Sequence, residues 1–98
     1  MTQLFAVIRS RGPAWQDDLP MEEQGEWAAH AAFMNGLVKD GFVIIGGPLE
    51  GTPDVLLTVR AESPEAIEAR LAADPWVEMD LLRLGRVAPW ILRMGALP

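Results

Sequence analysis

The sequence predicts an α+β domain of ferredoxin-like βαββαβ architecture, with a four-stranded antiparallel sheet and both helices on one face. Three observations carry this. Strand-like and helix-like segments follow one another in the order β-α-β-β-α-β. Right-handed crossovers in both βαβ halves put the two helices on the same side of the sheet. The chain has 98 residues, 50% hydrophobic and 22% charged, which suits one core over residues 1–98 and leaves no room for a second domain.

The elements follow in order. Gln3 to Arg9 is β-compatible, with Leu4, Ala6 and Ile8 facing one way and Phe5 and Val7 the other. Both sets are apolar, which suits a central strand. Ser10 to Pro20, with Gly12, Pro13 and Pro20, is a loop. Met21 to Asp40 is helical. With Trp27 as the zero of a helical wheel, Ala31, Met34 and Val38 fall within about 40°, and Leu37 and Phe33 extend the stripe on one side. Gly41 supplies a left-handed cap. Gly25 and Gly36 weaken this helix, and one of them is a candidate for close backbone packing. Phe42 to Ile45 is the second strand, stopped by Gly46-Gly47-Pro48. A turn through Glu50–Asp54 joins it to the third, Val55 to Arg60. Ser63 caps the second helix with Pro64 in its first turn, Ile67 and Leu71 mark its buried face, and Asp74-Pro75 ends it. Pro75 to Asp80 suits one more short turn. Leu82 to Leu92 is the fourth strand, placed at a sheet edge because Pro89 cannot donate a ladder hydrogen bond.

The second face of such a sheet has no helix to cover it. Phe5, Val7, Val55, Leu57, Val59 and Trp90 supply more apolar surface than one helical layer needs. The economical solution is two copies packed sheet to sheet, so a homodimer of the α/β-barrel kind is expected.

Composition removes several function classes. The formal net charge is −6, and the basic residues are scattered from Arg9 to Arg93, so the basic stripe a nucleic-acid binder uses on phosphates is missing. No run approaches the ~20 apolar residues of a membrane span. The apolar stretch after Met1 is too short for a signal peptide and has no basic front end, so a soluble cytoplasmic protein is expected. The chain has no Cys and no Tyr, and a single histidine, which excludes a cysteine nucleophile, a phenolic acid and a His-cluster metal site within one chain. No metal and no cofactor is expected.

The candidates for chemistry are therefore few. His30 lies about 60° from Trp27 on the wheel, between Met34 and Leu37, with Glu23 and Glu26 earlier on the same side. Histidine is the usual acid/base near neutral pH, but a core histidine satisfied by backbone or carboxylate fits the same position. Asp74 is either a turn or cap carboxylate or the group that orients an imidazole and stabilises its protonated form. Gly46-Gly47-Pro48-Leu49 is a bare turn or a place where a ligand approaches backbone amides that stabilise an oxyanion. Trp15, Trp27, Trp76 and Trp90 are core or interface anchors, with Trp76 and Trp90 also candidate pocket walls. Arg9, Arg83 and Arg86 are either surface ion pairs or partners for a substrate carboxylate. Ser10 and Ser63 are weak nucleophile candidates, since neither sits in a Gly-x-Ser-x-Gly turn.

Trp27-Ala28-Ala29-His30, Gly41–Leu49, Ala73-Asp74-Pro75-Trp76 and Ala88-Pro89-Trp90 together resemble the YciI-like (YCII-related) proteins. The resemblance runs from Trp27 to Trp90, about two-thirds of the chain. It implies a dimeric ferredoxin-like α/β barrel and a pocket in which His30 and Asp74 stand as a catalytic dyad. A relative of the family is a dehydrochlorinase acting on a chlorinated hydroxyquinol, and the wider superfamily includes muconolactone isomerases. The shortest members run almost directly from the first strand into the histidine helix. Here Ser10 to Glu26 intervenes, a candidate lining or lid for the pocket.

The expected function is a small cofactor-independent enzyme acting on a cyclic, anionic small molecule by isomerisation or elimination. His30 would be its base and acid, with Asp74 orienting it and stabilising its charge. Gly47, Pro48, Arg9, Trp76 and Trp90 would bind substrate. The competing expectation is a non-catalytic small-molecule-binding or dimerisation module of the same fold.

Overall fold

The computed structural model describes residues 1–97. Four strands, β1 (Gln3–Arg11), β2 (Val43–Pro48), β3 (Asp54–Ala61) and β4 (Leu82–Pro89), form one sheet in the order β2-β3-β1-β4, antiparallel throughout. Helices α1 (Trp27–Lys39), α2 (Pro64–Leu71) and the short α3 (Pro75–Glu78) complete the fold, with a 3₁₀ turn at Met21–Glu23 before α1. This is the ferredoxin-like α+β architecture. β4 is an edge strand, as Pro89 requires.

Phe5 pairs with Val59, Val7 with Leu57 and Arg9 with Val55 across β1 and β3. These residues share the side that the helices cover. Phe5, Val7, Leu57, Val59, Leu37, Ile67 and Leu71 form the main core, and Trp15, Trp76, Leu81 and Leu82 form a second, aromatic one beside it. The residues expected to supply surplus apolar surface, Phe5, Val7, Leu57 and Val59, are thus the monomer's own core. The side-chain alternation gives the helix-free face Leu4, Ala6, Ile8 and Leu56, all half-buried, together with the exposed Ile45.

Several boundaries differ from expectation: β1 runs on to Arg11, through Ser10 and Arg11 of the expected loop, and β3 is one residue longer at each end. Helix α1 begins at Trp27, because Glu26 adopts a left-handed conformation at φ 56° and Gly25 lies outside the helix. The buried stripe of α1 centres on His30 and Leu37, flanked by Phe33 and Met34, about 70° round from Trp27. Val38 is accordingly 50% exposed. Strand β2 continues through Gly46, Gly47 and Pro48, which pair with Leu57, Leu56 and Val55. A Cβ on Gly46 would lie 2.5 Å from Leu57 Cδ2, so glycine lets the strand pass over that core residue. Strand β4 ends at Pro89. Its last bond is the Trp90 N–H donating to Leu4 O at 2.8 Å.

Candidate active site

Asp74 sits where the chain turns from α2 into α3. Its backbone is extended, Pro75 opens α3, and Asp74 Oδ1 accepts the Trp76 N–H at 2.9 Å. The residue is a helix cap, as turn chemistry suggests. The same carboxylate also faces α1. His30 Nδ1 lies 2.9 Å from both Oδ1 and Oδ2. Arg9, arriving on β1, donates from Nη2 to Oδ2 at 3.0 Å. Asp74 is fully buried and Arg9 nearly so, at 0% and 1% exposure. Burial works to raise the Asp74 carboxyl. The His30 hydrogen bond, the Trp76 N–H and the charge of Arg9 outweigh it and hold the carboxyl below the ordinary carboxylate range. Burial lowers the Arg9 guanidinium and Asp74 opposes that.

An ionised carboxylate only accepts hydrogen bonds, so Nδ1 of His30 carries a proton and Nε2 of the neutral ring presents a lone pair. Nε2 has no hydrogen-bond partner among the described residues, and since no fully buried polar side-chain atom there is left unpartnered, Nε2 is an accessible atom. His30 lines a cavity of about 270 Å³ between α1 and the β2–β3 side of the sheet.

The imidazole is held as well as oriented. Trp76 stacks on it at 3.8 Å between centroids and 4° between planes. Trp76 itself is fixed by its Nε1–H donating to Gly25 O at 2.7 Å, by Trp27 at 5.7 Å, and by Trp15, edge-on at 5.5 Å. The segment from Ser10 to Glu26 therefore supports the site from behind. Buried Gln24 ties it together, donating from Nε2 to Gln16 O and Leu19 O and accepting the Gln16 N–H. Met21 from this segment lines the cavity, and Trp15 does not.

Of the residues expected at the site, His30, Arg9, Trp76, Gly47 and Pro48 line the cavity, and Asp74 stands behind His30. Trp90 is outside it, 39% exposed beyond the end of β4. The other candidates lie outside the cavity. Ser10 Oγ donates to Asp54 Oδ1 at 2.7 Å, and Ser63 Oγ accepts the Ala66 N–H at 3.1 Å. Arg83 pairs with Asp80 on the surface, and Arg86 is exposed. Glu23 and Glu26 are exposed, and only the Glu26 carbonyl serves His30, accepting its backbone N–H. Sequence reasoning missed the cavity roles of Trp27, Met34 and Asn35 and the Arg9–Asp74 pair. The pair had a signal: Phe5, Val7 and Arg9 stand at i, i+2 and i+4 of one strand, which sends Arg9 to the core side.

The family model described as the YCII-related domain matches residues 4–91. The chain belongs to the YCII-related family. No curated protein matches this YCII-related chain. Among solved structures it is similar to the 5-chloro-2-hydroxyhydroquinone dehydrochlorinase from Burkholderia phenoliruptrix, in complex with 2,5-dihydroxybenzoquinone. The two share 24% identity over 90% of this chain and 93% of the other, with a TM-score of 0.68. That likeness is one of fold. No helix among the described residues is long and apolar enough to cross a membrane.

Proposed function

We propose that this cavity is an active site in which His30 Nε2 moves a proton on a small cyclic molecule, acidic or anionic, in an isomerisation or elimination. The carrying observation is the geometry of one ring: Nδ1 fixed on Asp74, Nε2 unpartnered and His30 on the cavity wall. Nε2 takes a proton from a ring atom, and the electrons of that bond form a new double bond. In an elimination the leaving group departs with its own bonding pair. In an isomerisation the electron system shifts and Nε2 returns the proton at another atom. Asp74 stabilises the intervening imidazolium. The backbone at Gly46 and Gly47 borders the reacting space, where an amide N–H of this edge strand would polarise a substrate oxygen, while Pro48, which has no N–H, contributes only its ring. The volume suits a single ring. The fold likeness to a dehydrochlorinase solved with a benzoquinone supports the same ligand size. Two copies packed through the helix-free face form the expected dimer.

The test is turnover of a panel of halogenated hydroxyquinols and small lactones. His30→Ala is expected to fold and to lose turnover by about 10²–10⁴-fold, the usual worth of a positioned acid/base. Wild-type turnover in that variant would remove His30 as the base. Ligand binding without turnover of any panel member would favour a binding module instead.

A further inference from the structure

The walls of the cavity have an unusual charge balance. Among the described residues Arg9 is the one permanent cation lining it, and its guanidinium is already paired with Asp74 at 3.0 Å. Asp74 faces His30 from the start of α3 and Arg9 faces Asp74 from β1, so the two charges cancel. From β2, β3, β4 and the 3₁₀ turn the cavity receives only backbone, proline or apolar side chains, and α1 adds the uncharged Asn35. With neutral His30 the site therefore carries no net charge, and a ligand anion placed there would meet no free cation. One group is able to supply the missing charge. His30 becomes a cation by accepting a proton at Nε2, and Asp74 is already placed to stabilise it.

We propose that the cavity takes a single-ring anion only together with a proton, held at His30 Nε2, so that the bound pair enters with zero net charge. This rests on reading Nε2 as the atom that meets the ligand, and it adds the ligand's class: a monoanion or its weak conjugate acid, in place of a permanent anion anchored by arginine. For a substrate, return of the proton from Nε2 to the ligand gives the uncharged acid on neutral His30, the form in which Nε2 has the lone pair that takes the ring proton.

The experiment is calorimetry on the intact wild-type protein with benzoate and its uncharged analogue benzamide, from pH 6 to 9, in buffers of differing ionisation enthalpy. His30 is the one histidine and the chain has no cysteine, so apart from the exposed α-amino group nothing else ordinarily titrates in this window. Benzoate is expected to bind with uptake of up to one proton wherever free His30 is neutral, its affinity falling there by up to about tenfold per pH unit. Benzamide is expected to bind with no proton uptake and a flat profile. In His30→Gln the benzoate profile is expected to flatten. Benzoate binding with no proton uptake and no pH dependence would overturn the proposal, as would failure of benzoate to bind at millimolar concentration at pH 6. Proton-coupled binding without turnover of the panel above would sink the enzymatic reading and leave this one standing.

Discussion

At the scale of single residues, Asp74 accepts hydrogen bonds from three elements: the Trp76 N–H of α3, Nδ1 of His30 on α1 and Nη2 of Arg9 on β1. Its ionised form is therefore part of the native structure, and its carboxyl lies below the unfolded value. The stabilisation this gives is fully present above the unfolded value, at about pH 4, and is lost as pH falls through the lower native one. Asp74→Asn removes it at every pH and leaves Arg9 buried without its partner. We expect a loss of about 3–5 kcal/mol at pH 7, the typical result of breaking a buried pair from one side. Urea unfolding between pH 2.5 and 7 checks it: the gap between wild type and variant should narrow below about pH 4. A gap constant down to the lowest pH would show that the charge of Asp74 is not what stabilises the protein.

At the scale of elements, the decisive feature is how the segment from Ser10 to Glu26 is tied down. Gly12 and Ala14 donate their N–H groups to Leu81 O and Asp80 O, which binds the loop to the start of β4. Asp80 itself is left-handed at φ 60°. A Cβ on Gly12 would lie 2.1 Å from Asp80 O, so only glycine fits without a shift. Gly12→Ala is expected to cost about 1–3 kcal/mol, the range for overpacking. It should also disturb the Trp15–Trp76 contact, seen as a change in near-ultraviolet circular dichroism. An unchanged melting temperature and unchanged aromatic signal would show that the loop tolerates another path. The late start of α1 belongs here too. Keeping Gly25 out of the helix leaves its carbonyl free to accept the Trp76 Nε1–H, which an intrahelical bond would have claimed.

At the scale of the whole molecule, the three helices of the described residues lie on one face of the sheet and none of them on the other. Leu4, Ala6, Ile8 and Leu56 present apolar surface there. A sheet face of this kind is a site of association. We expect dimers at micromolar concentration by sedimentation equilibrium. Ile8→Glu should give monomers with little loss of monomer stability, since the side chain points away from the helices. A monomeric wild-type protein would refute the dimer.

The sequence by itself determined the order of elements, the edge position of β4 and the caps at Ser63 and Asp74, and it offered His30 and Asp74 as candidates that the resemblance to the YCII-related family paired. Each is a local matter: periodicity, proline's missing donor, the turn preference of Asp before Pro, and a histidine inside an apolar arc. Four things were decided only by the tertiary structure. Arg9 pairs with Asp74, when a free anion-binding arginine had been an open alternative. The surplus apolar face is that of Leu4, Ala6 and Ile8, where Phe5 and Val7 were expected to supply it. Trp15 supports the site and Trp90 stands outside it. Gly46 and Gly47 belong to a strand. All four depend on which face of an element turns toward which neighbour. A strand apolar on both sides does not encode that choice, and the packing of β1 between β3 and β4 settles it by bringing residues from opposite ends of the chain onto one carboxylate.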